Sequence, residues 1–332
     1  MNMFAAPAHS QRVKLPNAEV GPGCPVYIIA EIGGNFSTFE QGKGLIDAAI
    51  DAGSDAVKIQ TYKAHTVSSR KAMFSAEGME FTGDASQFDM FIEYQIDDRV
   101  QEEIYAYARE QGVVLFSTPG HQSDVELLET LGNSIYKIGS DDAVNLPLLR
   151  DVAQLQKPII LSTGMCTMRE VGLAVDAVLG TGNDQLILLH CVTNYPAAPA
   201  SVNLLAMVEM QREFGLPTGY SDHVLGNEIC LAAAALGGEE EEEEPAVALI
   251  ESDICAQYIA ERWAARGTAL LPRGAAARAR MRLFVGVFME SLAPCMLGMI
   301  SVPRDEEGVE RELHKLLGGL RAEPPVHDDD RG

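Results

Sequence analysis

One structural unit repeats along the chain from Val26 to Gly238: a short apolar run, a polar tip, and an amphipathic stretch that ends near glycine. The apolar runs are rich in β-branched residues and almost continuous, which is typical of parallel strands buried on both faces. Strands and helices that alternate in this way form a parallel sheet covered by helices. Seven strands are predicted, at residues 26–33, 56–62, 113–119, 135–140, 158–164, 186–192 and 217–223.

The stretches between these runs place apolar residues at helical spacing and stop at glycine, so we expect helices there. The turn after the first run reads GGNFST and lacks the GxGxxG pattern with which doubly wound nucleotide-binding sheets usually open. A closed α/β fold, the (β/α)8 TIM barrel, is therefore favoured. An eighth strand is predicted at 246–253, and helices are predicted at 39–53, 97–112, 124–132, 169–180, 203–215 and 254–267.

The barrel domain is expected to span residues 21–270. Residues 1–20 lack the apolar core of a signal peptide and are interpreted as a disordered lead-in. The long segment 63–94 is predicted to be an extended loop on the active-site face, a candidate lid. The consecutive glutamates at 239–244 are expected to be solvated, and residues 271–332 are interpreted as a divergent C-terminal region.

The chain carries a formal charge of −23, from 48 acidic and 25 basic side chains among its 332 residues. A surface this acidic repels a phosphate backbone, so nucleic acid is not expected as a partner. The six cysteines are scattered singly, which is typical of reduced thiols in a cytoplasmic protein. Residues 283–302 are as long as a membrane span, but Glu290 and Pro294 interrupt them, so a buried segment or an oligomer contact is expected instead.

Polar side chains cluster where each apolar run ends, and in a TIM barrel these strand ends converge on one mouth that holds the active site. Lys58 and Lys137 lie inside two of the runs. Burying an ammonium group is costly unless an anion pairs with it. The partner is either a protein carboxylate, Glu31 or Asp142, or a bound phosphate or carboxylate. Hydroxyl groups that can donate to the same anion are those of Ser117, Thr118 and Ser140.

His223 ends the seventh run, in the sequence GYSDH, and is either a metal ligand or general base or a hydrogen-bonded surface histidine. Asp253, at the end of the predicted eighth strand, would be its neighbour, and a histidine with a carboxylate and waters suits Mn²⁺ or Mg²⁺. Asp222 should point to the opposite face of its strand. His190 fits a core position as well as a functional one, and Tyr195 fits loop packing as well as contact with a sugar.

A set of motifs, in order and spacing, resembles the family of N-acetylneuraminate (sialic acid) synthases and related phosphoenolpyruvate-dependent nonulosonate synthases. The resemblance runs from about Tyr27 to Gly238. It implies a TIM-barrel transferase that condenses phosphoenolpyruvate with an N-acetylmannosamine-type sugar, free or as the 6-phosphate, releasing phosphate. It also implies a divalent cofactor, Mn²⁺ or Mg²⁺, and a homodimer. The motifs are AEIGGNF, DAGSDAVKIQTYKA, FSTP, YKIGSDD, PIILSTGM, LLHCVTNYP and GYSDH.

The resemblance also implies roles for individual positions. The metal ion polarises the sugar aldehyde, carbon 3 of phosphoenolpyruvate attacks it, water adds at carbon 2, and phosphate leaves. Catalytic roles are expected for Glu31, Lys58, Lys137 and His223. The residues expected to bind phosphoenolpyruvate are Lys58, Thr118, Lys137, Ser140, Thr193 and Ser221. Those expected to bind the sugar are Glu31, Gln60, Asp142 and Tyr195. His223 is the expected metal ligand.

The last quarter of the chain departs from this family. The sequence LIESD places Asp253 where the family has a second metal-binding histidine. A GPDH-like segment, which gives an aspartate to the sugar, and the C-terminal antifreeze-like domain are not recognisable. An alternative hypothesis is therefore a catalytically impaired pseudoenzyme that only binds the sugar or phosphoenolpyruvate. A lysine Schiff-base aldolase is a third hypothesis, which the order of the motifs disfavours.

Overall fold

Parallel strands form a closed barrel that follows a small antiparallel hairpin. The computed structural model describes residues 12–33, 36–73, 86–226, 228–236 and 247–252. The hairpin consists of β1 (Val13–Lys14) and β2 (Glu19–Val20). The barrel strands follow one another in chain order, and the last pairs with the first. They are β3 (Tyr27–Glu31), β4 (Ala56–Thr61), β5 (Val114–Pro119), β6 (Tyr136–Ile138), β7 (Ile159–Ser162), β8 (Leu186–His190), β9 (Thr218–Asp222) and β10 (Val247–Ser252).

The predicted (β/α)8 barrel is confirmed, and so are its eight predicted strands. Strand β10 closes the barrel by pairing with β9 on one side and with β3 on the other. Neighbouring strands pair in parallel, and the register of β3 and β4 places Glu31 beside Lys58. Because every strand runs in the same direction, all carboxyl ends meet at one mouth.

Helices cover the outside of the barrel, packing their apolar faces against outward-facing strand residues. Thr38 and Thr167 each begin a helix with a capping box, in which the threonine hydroxyl accepts from the backbone of the third helical residue. Gly112 and Gly132 follow two other helices with φ of 73° and 77°, a conformation that glycine adopts without strain. The helices are α1 (Phe39–Asp51), α2 (Ala64–Val67), α3 (Gln87–Tyr94), α4 (Asp98–Gln111), α5 (Gln122–Leu131), α6 (Leu146–Ala153), α7 (Met168–Leu179), α8 (Leu205–Phe214) and α9 (Glu228–Leu236).

The five helices predicted between residues 39 and 215 are confirmed, as α1, α4, α5, α7 and α8. The prediction of an extended loop at 63–94 is wrong in part, because α2 and α3 lie within it. These helices are held by packing: Phe88 is buried, and the Tyr62 and Phe91 rings meet edge to face at 5.3 Å. Helices this short show little apolar periodicity, which is why the sequence pattern missed them.

The barrel interior at the amino-terminal strand ends is filled by apolar side chains. They pack in one cluster with side chains of the hairpin, so the barrel is a core and not a pore. The barrel residues of this apolar layer are Ile29, Ala56, Phe116, Ile135, Ile160, Ile187 and Leu189. The hairpin contributes Val13, Leu15 and Val20, which are almost completely buried.

The expectation of a disordered lead-in over residues 1–20 is therefore wrong for residues 12–20. The hairpin is short, but its apolar side chains close the bottom of the barrel, and the burial of three such side chains stabilises it. Asn17 fastens the turn to the barrel, since its Nδ2 donates to Asp55 O at 2.8 Å. Residues 1–11 lie outside the described residues.

Several sequence predictions fall on residues that the structure does not describe. Among the described residues, no helix has both the length and the apolar character needed to cross a membrane. The predictions outside the described residues concern Asp253, the acidic run at 239–244, the helix at 254–267, the C-terminal region 271–332 and, within it, the apolar segment 283–302.

Replacing Phe116 by alanine is expected to destabilise the protein by about 3–5 kcal/mol, because a fully buried ring leaves a cavity that the barrel strands cannot close. Urea unfolding followed by far-ultraviolet circular dichroism measures the loss. The control is Leu173→Ala on α7, where the side chain is 43% exposed. Its effect should stay within about 1 kcal/mol. Equal unfolding midpoints for the two variants would contradict a packed barrel interior.

Candidate active site at the barrel mouth

A polar layer lies directly above the apolar layer. Side chains alternate along a strand, so the residue two positions after an inward-facing residue faces the interior again, one layer nearer the mouth. In seven strands or their direct continuations, this second residue is polar or a cysteine. The successive pairs are Ile29 and Glu31, Ala56 and Lys58, Phe116 and Thr118, Ile135 and Lys137, Ile160 and Ser162, Leu189 and Cys191, and Gly219 and Ser221.

Glu31 and Lys58 form an ion pair in this layer, and the two residues are only 8% and 5% exposed. Gly33 N donates to Glu31 Oε1 at 2.7 Å, which holds the carboxylate in place. A Cβ atom on Gly33 would lie 2.6 Å from Glu31 Oε1 and 2.8 Å from Gln60 N, so only glycine fits there. The structure thus brings together two residues that the resemblance assigns to different substrates. Glu31 is one of the two protein carboxylates predicted as partners for a buried lysine.

Lys137 lies on β6, two strands from Lys58 on β4, and its Nζ donates to Ser162 Oγ at 2.7 Å. Both residues are buried. Ser162 was not among the predicted binding residues, although its position two residues after Ile160 is a signal that identifies it. The Ser162 hydroxyl orients the ammonium group and keeps its own proton for a further acceptor.

Thr118 and Ser117 point to opposite faces of β5. Thr118 Oγ1 is buried and has no hydrogen-bond partner among the described residues. A buried hydroxyl in this state costs about 1–3 kcal/mol, which a ligand oxygen would offset. Ser117 Oγ instead donates to Ile59 O at 3.1 Å and lies 2.7 Å from Thr61 Oγ1. The expectation that Ser117 donates to an anion in the mouth is therefore wrong, because strand alternation turns it away from the mouth.

Ser140 lies just after β6, between Gly164 and Cys191. Gly164 N donates to Ser140 Oγ at 2.9 Å, and Cys191 Sγ lies 3.0 Å from the same oxygen. Thr193 is exposed, and its Oγ1 would be 2.5 Å from a Cβ atom on Gly164. Two predicted residues, Ser140 and Thr193, therefore meet around Gly164, which was not among the predicted site residues.

Ser221 and Gln60 belong to the lining of the mouth. Ser221 is buried on β9, and Gln60 is half-buried two positions after Lys58. Asp142 lies on the turn after β6, where Asn145 Nδ2 donates to its Oδ1 at 3.0 Å. Partial burial raises the pKa of Asp142, against the lowering effect of this hydrogen bond. The Asp142 carboxylate therefore contacts a residue of its own turn, Asn145.

His223 and Tyr195 form a stacked pair on the loops above β8 and β9. Their ring centroids are 4.0 Å apart, and Tyr195 is 54% exposed. His223 Nδ1 lies 2.6 Å from Val192 O, and because a carbonyl oxygen only accepts, Nδ1 carries the proton. In the neutral ring Nε2 then accepts from the Tyr195 hydroxyl at 2.8 Å. A histidine whose Nδ1 is fixed on a carbonyl presents Nε2 in the form that binds a metal ion.

Asp222 points away from the mouth, as strand alternation predicts. Its carboxylate accepts from Val224 N at 2.9 Å and from Cys230 Sγ at 3.0 Å. Burial raises the pKa of this carboxyl, against the lowering effect of these hydrogen bonds. Within the described parts of the chain, no three His, Cys, Asp or Glu side chains gather as a metal-binding group. Asp253, the predicted second ligand, lies outside these parts.

His190 is partly buried at the end of β8. Its Nε2 lies 2.6 Å from Val202 O, and its ring packs against Tyr220 at 5.9 Å between centroids. Burial lowers the pKa of His190, although the carbonyl contact opposes this shift. Of the two interpretations left open by the sequence, the structure supports the hydrogen-bonded core residue.

Comparison with known proteins identifies the family. A model of the NeuB family matches residues 45–243, which is more than half of the 332-residue chain. The chain belongs to the NeuB family. This result confirms the resemblance on which the predicted site residues depend.

Two curated NeuB relatives are synthases of nonulosonic acids. The N,N'-diacetyllegionaminic acid synthase of Campylobacter jejuni is 40% identical over 213 residues, 63% of this chain and 64% of the relative. The pseudaminic acid synthase of Helicobacter pylori is 32% identical over 215 residues, 64% of this chain and 63% of the relative. The match therefore spans less than two thirds of the length of these curated proteins.

A solved structure of similar architecture is the N-acetylneuraminic acid (sialic acid) synthetase of Leptospira borgpetersenii, in complex with citrate. It is 26% identical, with a TM-score of 0.62, and the match covers 83% of this chain and 98% of that chain. The fold of this NeuB chain is therefore similar to that of the Leptospira synthetase.

Gly164→Ala is expected to destabilise this NeuB chain by about 1–3 kcal/mol through overpacking. The new Cβ atom would lie 2.6 Å from Cys191 Sγ and 2.8 Å from the Cys191 carbonyl oxygen, so backbone must move. Thermal unfolding measures the change. Gly44→Ala on α1 is the matched control, since a Cβ atom there meets nothing within 4 Å. That variant should be more stable by about 0.5–1 kcal/mol, and a loss as large as that of Gly164→Ala would refute the steric argument.

Proposed function

We propose that this chain condenses phosphoenolpyruvate with an N-acetylmannosamine-type sugar, free or as the 6-phosphate, to form a sialic-acid-type nonulosonate and phosphate. The observation that carries the proposal is the polar layer, in which two buried ammonium groups lie among small hydroxyl donors. Such a set of donors suits a small anion with several charged oxygens. The relatives named as legionaminic, pseudaminic and sialic acid synthases support the class of product.

The phosphate of phosphoenolpyruvate is assigned to the sector of the mouth formed by β5, β6 and β7. These strands are neighbours in the barrel, so Thr118, Lys137 and Ser162 line one wall. Ser140 and the Gly164 amide lie on the loops directly after β6 and β7. Phosphate oxygens placed here would satisfy the Thr118 hydroxyl and meet the Lys137 ammonium group. Lys58, Thr193 and Ser221 complete the proposed phosphoenolpyruvate site.

The sugar is assigned to a site lined by Glu31 on β3, Gln60 on β4, Asp142 on the turn after β6 and Tyr195 on the loop after β8. The Glu31 carboxylate accepts hydrogen bonds, which suits sugar hydroxyl groups, and the exposed Tyr195 ring offers an apolar face. Glu31 is also paired with Lys58. This ion pair therefore joins the sugar side of the proposed site to the phosphoenolpyruvate side.

In the proposed reaction a bond forms between carbon 3 of phosphoenolpyruvate and the aldehyde carbon of the open-chain sugar. The aldehyde oxygen gains a proton and becomes a hydroxyl group. Water then adds to the cationic carbon 2, and the bond from carbon 2 to the phosphate oxygen breaks, leaving a ketone and free phosphate. Lys137 and the hydroxyl donors stabilise the charge on the departing phosphate because they are already oriented before the reaction.

The proposal includes a divalent ion, Mn²⁺ or Mg²⁺, held by His223 with Asp253 as a second ligand. The His223 ring fits such a role, since Val192 O holds Nδ1 and leaves Nε2 as an acceptor. When bound, an ion of this kind supplies Lewis-acid polarisation of the aldehyde oxygen. The Tyr195 hydroxyl, which donates to the same Nε2, would have to give up that contact.

Purified protein supplied with Mn²⁺, phosphoenolpyruvate and either N-acetylmannosamine or its 6-phosphate is expected to release phosphate in step with nonulosonate formation. A colorimetric assay measures the released phosphate, and mass spectrometry measures the nonulosonate. Omission of the sugar is the control, and it should abolish phosphate release. Phosphoenolpyruvate binding without turnover on either sugar would instead support the impaired, binding-only alternative and contradict the proposed activity.

Thr118→Val is expected to weaken phosphoenolpyruvate binding about 5- to 20-fold while leaving the unliganded protein equally or more stable. The reason is that Thr118 Oγ1 is buried without a partner among the described residues, so an apolar replacement of the same shape removes a cost. Isothermal titration calorimetry and thermal unfolding measure the two effects.

Ser117→Ala on the same strand is the matched control. It should lower stability by about 1 kcal/mol through loss of its hydrogen bond to Ile59 O and leave phosphoenolpyruvate affinity unchanged. If both variants lost affinity equally, the assignment of the two hydroxyl groups to opposite faces would be untenable.

A further inference from the structure

The Ser140 hydroxyl has an unusual set of buried neighbours at the mouth. Gly164 N lies 2.9 Å from Ser140 Oγ and donates to it. Cys191 Sγ lies 3.0 Å from the same oxygen, with Cys191 only 3% exposed and Ser140 8% exposed. The two neighbours come from different parts of the barrel, the loop after β7 and the continuation of β8.

A serine hydroxyl has one proton to donate and two lone pairs that accept. The Gly164 amide occupies one lone pair, because an N–H group only donates. The contact with Cys191 has two arrangements: the serine proton points to sulfur, or the thiol proton points to the second lone pair. In the second arrangement the serine proton is directed away from both neighbours, and a ligand in the mouth can accept it.

A bound anion determines which of these two hydrogen-bond arrangements is more stable. A hydrogen bond to a charged phosphate oxygen is about twice as strong as one between neutral groups, whereas thiol sulfur is a weak acceptor. With phosphate present, the serine proton therefore turns to the anion and the thiol proton turns to the serine oxygen. The serine oxygen is then fully hydrogen-bonded, with two bonds accepted and one donated.

We infer that Cys191 is a positioning residue for phosphoenolpyruvate, acting through Ser140: its thiol fills the second lone pair of the Ser140 oxygen and so fixes the serine proton toward the bound anion. This inference rests on the proposed function, in which Ser140 contacts phosphoenolpyruvate. Cys191 does not itself touch the substrate. Gly164 leaves the space that the thiol needs, since a Cβ atom there would lie 2.6 Å from Cys191 Sγ.

A double-mutant cycle on phosphoenolpyruvate binding tests the inference. Calorimetry gives the Kd of wild type, Cys191→Ala, Ser140→Ala and the double variant. Cys191→Ala should raise the Kd about fivefold in the wild-type background and less than about twofold in the Ser140→Ala background. Cys191→Ser, which keeps a donor at that position, should restore an affinity within about twofold of wild type. Thermal unfolding of each variant verifies that it is folded.

Cys230→Ala is the control for the loss of a buried thiol, because Cys230 is equally buried but donates to Asp222 behind β9. It should lower the melting temperature and leave the Kd for phosphoenolpyruvate unchanged. If Cys191→Ala raised the Kd by the same factor in the wild-type and Ser140→Ala backgrounds, the effect would be a general structural one and the inference would be overturned. Failure of Cys191→Ser to restore binding would overturn it as well. Absence of phosphoenolpyruvate binding by wild type would overturn it too.

The same proteins separate this inference from the proposed function. Phosphate release in the presence of sugar reports on the proposed reaction, whereas the cycle uses equilibrium binding alone. Wild type that binds phosphoenolpyruvate and shows coupling between Cys191 and Ser140, but releases no phosphate, would disprove the proposed reaction and uphold the positioning role.

Discussion

Burial of two lysine ammonium groups inside a barrel is the constraint on which the rest of this site depends. Taking an ammonium group out of water costs several kcal/mol unless its charge and hydrogen bonds are satisfied. The chain meets this requirement by pairing Lys58 with Glu31 and by placing Ser162 against Lys137. The apolar layer beneath them excludes water from below, which strengthens every charge interaction in the mouth.

Each lysine is held from a neighbouring strand, Lys58 from β3 and Lys137 from β7. Lys58 shares its charge with a protein carboxylate that is itself fixed by the Gly33 amide. Lys137 Nζ donates to the Ser162 hydroxyl group. Both ammonium groups lie among hydroxyl donors that face inward, and together they form a local cluster of positive charge. We propose that this cluster attracts a phosphate ester in a protein whose net charge is −23.

The fold and the position of the polar layer at the barrel mouth could be predicted from the sequence because both depend on short-range periodicity. Strand ends follow from apolar runs, and the mouth follows from parallel strand direction. The same alternation separates Thr118 from Ser117 and identifies Ser162, although the residue types alone do not. The hairpin at residues 12–20 was missed because two-residue strands carry almost no pattern, and only packing against the barrel holds them.

Contacts between loops could not be predicted at all. The stacking of Tyr195 on His223 and the meeting of Ser140 with Cys191 join residues 28 and 51 positions apart, and they depend on how the loops fold above the strands. The most direct test of the account is a crystal structure of the protein with bound phosphoenolpyruvate. The account predicts phosphate oxygens within hydrogen-bond distance of Lys137 Nζ and Thr118 Oγ1. Phosphoenolpyruvate bound elsewhere at saturating concentration, with no ligand atom near the Thr118 hydroxyl, would contradict it.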